Sequence, residues 1–282
     1  MINAVMNNGH EIPMMGYGTF QMTSQQVAEH LPQALDAGFR HIDTANAYFN
    51  EVAVGAAIAA SGIDRSELFI TSKLFPQDYP SAACSAAIDA TLERLGLDYL
   101  DLLLFHQPYG AYVDGWKAME EAVRAGKVRS IGLSNFNAAK IRQILDVAQI
   151  KPAVIQVEIN PYWNQHALKQ EFADEGFVYE GWYPLGHGDA GLLGLPLFAE
   201  LGRTYGKTPS QVILRWQLQE GNVVFPKTLN PAHMAENLDV FDFELNEHEM
   251  AQIAALPQKP YYTVPEQAPD WVWGPNDYTQ QA

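Results

Sequence analysis

The chain has 282 residues, 48% of them apolar and 18% charged, which is ample for one large core. Its net charge of −16 argues against nucleic acid or an anionic membrane as partner, because both need clustered Lys and Arg. The lone Cys84 excludes a disulfide framework and a Cys-rich metal site, and neither a signal peptide nor a membrane-spanning apolar run is evident. The expectation is a cytoplasmic globular protein.

In chain order, Val5 to Ile12 alternates around Asn8-Gly9, the pattern of a β-hairpin occupying residues 1–13. Short β-rich apolar runs follow at 15–19, 39–43, 68–73, 99–106, 128–134, 153–159, 177–183 and 222–226. Stretches with a period near 3.6 residues separate them. Cys84, Ile88, Leu92 and Leu95 make one stripe stopped by Gly96; Trp116, Met119 and Val123 make another, and Ile141, Ile144, Leu145 and Ala148 a third. Thr208-Pro209-Ser210-Gln211 and Asn246 to Glu249 read as capped helix starts. Several strands are continuously apolar, as when both faces of a parallel sheet are covered. Eight strands alternating with helices, without a linker, predict one α/β domain over 1–282, a (β/α)₈ TIM-type barrel at 14–256 with the N-terminal hairpin closing its bottom. From Pro257 the chain becomes a tail rich in Pro, Tyr and Trp. So much aromatic surface predicts that part of 257–282 folds over the barrel mouth, the alternative being packing on the outer helices or a second subunit.

The predicted strands end on capable side chains: Asp43, Lys73, His106, Asn135, Glu158 and Lys227. In a barrel these ends converge on the C-terminal face, where active sites of such folds lie. Tyr48 follows Asp43 at the same end. A phenol has a solution pKa near 10, a nearby Lys ammonium favours the phenolate, and an Asp can hold that Lys charged and oriented. His106 could donate to a substrate carbonyl.

Gly38-Phe39-Arg40-His41-Ile42-Asp43-Thr44-Ala45 with Tyr48 and Asn50-Glu51 resembles the signature of the aldo-keto reductases. Leu68 to Lys73, Leu100 to His106, Ile131 to Phe136 and Gln156 to Pro161 resemble that family's later blocks in the same order, and the likeness runs over roughly residues 1–256. The resemblance is to bacterial members of the diketo-gluconate-reductase kind. It implies a catalytic tetrad of Asp43, Tyr48, Lys73 and His106, and reduction of aldehyde or ketone carbonyls by hydride from NADPH, with NADH as a second donor. It implies nicotinamide contacts from Ser134, Asn135 and Gln156, with Trp182 stacking and Gly18, Thr19 and Asp43 alongside. Tyr183, Pro184, Leu185 and Gly186 would follow the pyrophosphate. Phe225, Pro226, Lys227, Thr228, Leu229, His233, Glu236 and Asn237 would surround the adenosine end. Phe20 and Gln107 would join Tyr48 and His106 around a small carbonyl substrate, in a monomer.

Some features depart from that pattern or have blander readings. Gln107 stands where many members have Trp, removing one wall of the pocket. His233 stands where an Arg commonly meets the 2′-phosphate, and imidazole is the weaker partner. Asp101, inside an apolar strand, is assigned to structure. Gly186-His187-Gly188-Asp189-Ala190-Gly191 matches G-x-G-x-x-G, but position 211 is Gln rather than an acidic residue, so a short, flexible loop over the cofactor phosphates is expected instead of a dinucleotide fold. No H-x-x-x-H pair supports a metal site. Two rivals stand: a catalytically quiet, nicotinamide-binding regulatory barrel, and an isomerase or hydrolase using His106 with Glu158.

Overall fold

The structure is a computed structural model and describes residues 2–274. Strands β1 (Asn3–Val5) and β2 (Glu11–Pro13) pair antiparallel, with Val5 opposite Glu11. Their connection turns at Gly9, whose φ of +85° suits a residue without Cβ. Asn7 donates to the carbonyls of Pro152 (2.7 Å) and Glu175 (3.2 Å), and Asn8 to the Ser130 hydroxyl (2.9 Å). All three acceptors lie at or near the N-terminal ends of barrel strands, so the hairpin covers the bottom face.

The barrel strands are β3 (Gly16–Gly18), β4 (His41–Asp43), β5 (Phe69–Leu74), β6 (Leu100–Phe105), β7 (Val128–Ser134), β8 (Val154–Glu158), β9 (Val178–Trp182) and β10 (Asn222–Val224). Each lies within one run expected from sequence or overhangs it by a residue. They pair in parallel and in sequence order, and a parallel bridge between Met15 and Val224 closes the ring. Side chains alternate along a strand, so Asp43 shares the barrel interior with His41, Lys73 with Thr71, and Trp182 with Glu180.

The helices follow the predicted stripes. Ser81–Leu95 buries Cys84, Ile88, Leu92 and Leu95 and stops at Gly96 with φ +63°. Tyr112–Arg124 buries Trp116 and Met119, and Ala138–Leu145 buries Ile141 and Ile144, with Ala148 beyond its end. Thr208 and Asn246 both make reciprocal capping boxes. Asp101 accepts from the Ile70 amide (2.9 Å), Arg65 (2.7 Å) and Arg129 (3.2 Å), the structural use expected.

Residues 186–195 differ from the expected loop. A single 3₁₀ turn, Gly186–Gly188, leads into a four-residue helix, Ala190–Leu193. Asp189 caps it by accepting from the Gly191 amide at 2.8 Å. Beyond the last long helix, 257–274 crosses the C-terminal ends of the strands. The Tyr261 and Tyr262 amides donate to the two carboxylate oxygens of Glu158 (2.7 and 2.9 Å). Val272 is buried beside Phe75 and Tyr109. Tyr278 and the rest of 275–282, part of the tail read from sequence, lie outside the described residues.

Candidate active site

A cavity of about 810 Å³ opens at the C-terminal face. Asp43 ends β4, Lys73 lies one residue before the end of β5, and Tyr48 ends the one-turn 3₁₀ helix Asn46–Tyr48 between them. Lys73 is fully buried, and its ammonium donates to Asp43 Oδ1 (2.6 Å), the Thr44 carbonyl (3.0 Å) and Tyr48 Oη (3.3 Å). All three protons are therefore placed. Asn50 fixes the surrounding loops by donating to the carbonyls of Thr19 and Met22, both at 3.0 Å.

His106 follows β6 and lies between Tyr48 and Phe75, both rings edge-on at 5.5 Å. Its Nδ1 is buried without a hydrogen-bond partner among the described residues, which leaves Nε2 with access to the cavity. Burial, helped by the Lys73 ammonium, holds the imidazole well below its usual range, so it is neutral at pH 7. For Lys73 burial disfavours the ammonium, but Asp43 and Tyr48 more than offset it and the pKa lies above the ordinary value. Tyr48 corrects a sequence expectation. Lys73 does favour its phenolate, but burial outweighs that and pushes the phenol up to about 12. Tyr48 is thus a protonated donor across the neutral range.

Across the cavity, Asn135 takes a left-handed conformation (φ +68°) and sends Nδ2 to the His106 carbonyl (3.0 Å) and Ser134 Oγ (3.2 Å). Its Oδ1 accepts from the Trp182 indole N–H at 3.0 Å, fixing the plane of that ring. Gln156 presents its amide nitrogen to Asp43 Oδ2 (3.0 Å), leaving Oε1 with only a 3.5 Å approach from Ser134 Oγ. One wall thus combines a hydroxyl, a spare amide carbonyl and a fixed indole face. That donor and acceptor set fits an aromatic ring bearing a carboxamide.

The family described as "Aldo/keto reductase family" matches residues 14–257. The chain belongs to the aldo/keto reductases. It is accordingly an NAD(P)H-dependent oxidoreductase. Aldo-keto reductases of Mycolicibacterium smegmatis and Mycobacterium tuberculosis are each 42% identical over 254 residues, spanning 89% of this chain and 92% and 89% of theirs. An aldo-keto reductase from a Medee basin deep-sea metagenome superposes with TM-score 0.91 at 35% identity, over 94% of this chain and 99% of that one. The Bombyx mori aldo-keto reductase in complex with NADP superposes with TM-score 0.84 at 33% identity, over 90% and 92%.

In this aldo/keto reductase the cavity brings together most of the residues singled out from sequence. Asp43, Tyr48 and His106 line it with Gly18, Phe20 and Gln107; Ser134, Asn135, Gln156 and Trp182 line the facing wall. Tyr183, Pro184, Leu185, Phe225, Pro226 and Lys227 extend the lining, and Lys227 donates to the Phe20 carbonyl at 3.0 Å. Others lie outside the lining. Thr19 is buried, donating to the Asp43 carbonyl (3.2 Å), and the Thr228 carbonyl accepts from Tyr17 (2.7 Å). Gly186 is buried at the head of its turn, and Leu229 packs partly buried on the core. Glu236 accepts from the Thr208 hydroxyl (2.6 Å), Asn237 is buried beneath Pro226, and His233 is exposed on the same helix, Pro231–Leu238.

Sequence reasoning did not single out Gln21, Ala47 or Phe75, which also line the cavity. Tyr261, Tyr262 and Trp271 of the tail line it as well, and Tyr261 donates to Asp189 Oδ2 at 2.5 Å, tying the tail to the 186–195 turn. Glu158, offered as a catalytic base in the isomerase or hydrolase reading, instead accepts three N–H groups, from Asn160 (3.0 Å), Tyr261 and Tyr262. Those contacts make Glu158 an anchor for the tail.

Proposed function

We propose that this chain reduces aldehyde and ketone carbonyls to alcohols with NADPH, and with NADH as a weaker donor, acting as a cytoplasmic monomer. The observation that carries the reading is the buried Asp43–Lys73–Tyr48 chain opening onto the same cavity as His106 and the Ser134–Gln156–Trp182 wall. When bound, the nicotinamide supplies the hydride; the protein supplies position and electrostatics. Ser134, Asn135 and Gln156 are suited to hold its carboxamide and Trp182 its ring. His106 Nε2 orients the substrate oxygen, and Tyr48 gives that oxygen its proton. Lys73, held by Asp43, stabilises the phenolate left behind. No helix among the described residues is long and apolar enough to cross a membrane.

Initial rates over a carbonyl panel with both cofactors test the proposal. Saturable NADPH binding without turnover of any carbonyl selects the regulatory barrel instead. The substrate class follows from the lining around Tyr48 and His106, where Phe20 lies 5.1 Å from the Tyr48 ring and Phe75 6.1 Å from Trp271. Neutral aromatic aldehydes are expected to have kcat/KM about tenfold or more above carboxylate-bearing analogues, since burying an unpaired carboxylate is unfavourable. Benzaldehyde against 4-carboxybenzaldehyde makes the comparison, and equal efficiencies refute it.

The adenosine end is proposed at Lys227 and the helix bearing His233. Replacing His233 with Arg is expected to raise the NADPH-over-NADH ratio of kcat/KM about fivefold, the worth of one exposed charge at about 1 kcal/mol. An unchanged ratio places His233 away from the 2′-phosphate.

A further inference from the structure

Below the cavity floor lies a carboxyl group that the proposed reaction does not use. Glu180 is the middle residue of β9, fully buried, with its side chain turned into the barrel. Parallel pairing sets it beside Gln156 of β8. Gln156 Nε2 sits 2.8 Å from Glu180 Oε2 and 3.0 Å from Asp43 Oδ2. Asp43 Oδ2 can only accept, and with the Glu180 proton on Oε1, the oxygen turned toward His41, Glu180 Oε2 accepts as well, so the nitrogen end of the amide faces both. The two N–H bonds are thereby committed, one to each, and Gln156 Oε1 is turned toward Ser134 and the cavity.

We propose that Glu180 is a positioning residue for the cofactor. It locks the side-chain amide of Gln156 with its carbonyl presented to the cavity, where that carbonyl accepts an N–H of the nicotinamide carboxamide. The inference rests on the nicotinamide reading above. Asp43 alone does not secure the orientation, because a single acceptor engages one N–H and leaves the amide free to tilt about that bond.

The groups around Glu180 suit this role. From β4, His41 approaches with Nε2 3.9 Å from Glu180 Oε1. Its Nδ1 lies 3.1 Å from the Pro13 carbonyl, which can only accept, so Nδ1 carries the proton and Nε2 accepts from the Thr71 hydroxyl at 3.0 Å. Burial holds the His41 imidazole down to about 3, so it is neutral and offers Glu180 no charge. Lys73, the cation of this layer, is committed to Asp43. Burial first, and then the Asp43 carboxylate, push the Glu180 carboxyl up to about 8. Near neutrality the Gln156 amide therefore bridges one anion and one largely uncharged carboxyl, without forcing two bare carboxylates together.

The test compares dissociation constants, read from quenching of tryptophan fluorescence, for wild type, Glu180→Gln and Glu180→Met. The probes are NADPH, its 3-acetylpyridine analogue, which has no amide N–H to give, and 2′-phospho-ADP-ribose, which has no ring. Wild type is expected to bind NADPH about tenfold tighter than the acetylpyridine analogue, the upper worth of one hydrogen bond. Glu180→Gln keeps an acceptor toward Gln156 and should keep that ratio. Glu180→Met should bring it close to one, with binding of 2′-phospho-ADP-ribose unchanged. A wild-type ratio retained in Glu180→Met overturns the inference, as does equal weakening of all three ligands, which marks a merely structural residue. If Glu180→Met does not fold, NMR of the wild-type Gln156 amide decides. Protection of both Nε2 protons from solvent exchange supports the lock, and one protected proton beside a freely exchanging one refutes it. Failure of wild type to bind NADPH overturns the nicotinamide reading together with this inference, whereas binding without the ratio change overturns this inference alone.

Discussion

Replacing Tyr48 with Phe is expected to cut the rate of carbonyl reduction by roughly 10²- to 10⁴-fold, the usual worth of a general acid, while leaving NADPH affinity nearly intact. Phe keeps the ring, which packs against Phe20 at 5.1 Å and His106 at 5.5 Å, so the pocket wall survives and only the hydroxyl is lost. The position of the phenol pKa adds a pH signature. Burial pushes it up to about 12, so the protonated donor is fully present from pH 6 to 9 and wild-type reduction should be flat there. Alcohol oxidation, the reverse direction, needs the phenolate. Its rate should rise steadily over the same window, because each pH unit below the pKa costs about tenfold in phenolate. Stopped-flow rates isolate the chemical step when the hydride donor is deuterated, the reduced cofactor for carbonyl reduction and the carbinol carbon of the alcohol for oxidation. A variant keeping more than about a tenth of the wild-type chemical rate removes Tyr48 from the role.

The strand-end side chains were legible because the barrel converts sequence position into place. A polar residue closing a β-rich run must point to the C-terminal face, and Asp43, Lys73 and His106 all do. Their relation to Tyr48 was also readable, since the one-turn helix after Asp43 is too short to carry it elsewhere. Contacts fixed by register were not readable. Glu180 meets Gln156 only because β8 and β9 pair with those residues side by side, and nothing in the spacing of 24 positions announces that. A signal was nonetheless present: a glutamate two residues before Trp182, on the same face of a strand with an apolar interior. The tail shows a similar split. Its aromatic content marks it as a segment needing cover, but a glutamate at a strand end has the same appearance in sequence whether it serves chemistry or, as Glu158 does, accepts three N–H groups and anchors the tail. The 186–195 segment reads as a loop from its glycines, yet Gly186 and Gly188 make a turn at φ +60° and +78° that delivers Asp189 to cap a short helix. The net effect of Lys73 on Tyr48 was beyond sequence altogether, because it is a difference between an attraction and a desolvation cost set by packing.

Replacing Lys73 with Met should impair both stability and turnover, and the two losses can be separated. The Asp43 carboxylate, 5% exposed, would keep the Gln156 amide as a donor but lose the ammonium paired with it. Breaking a buried ion pair from one side typically costs about 3–5 kcal/mol, because the remaining charge is uncompensated. Thermal unfolding of wild type and variant checks the size, and a loss below about 1 kcal/mol would contradict the ion-pair account. For turnover, the ammonium 3.3 Å from Tyr48 Oη is the group that meets the developing phenolate, and removal of one such donor costs about 10²- to 10³-fold. Tyr48 and Lys73 act through a single proton, so their effects should not multiply. The Tyr48→Phe, Lys73→Met double variant is expected within about threefold of the slower single variant, because a hydroxyl that is absent cannot be assisted. Rate losses that multiply across the pair would instead mean that Lys73 serves the reaction through a group other than Tyr48.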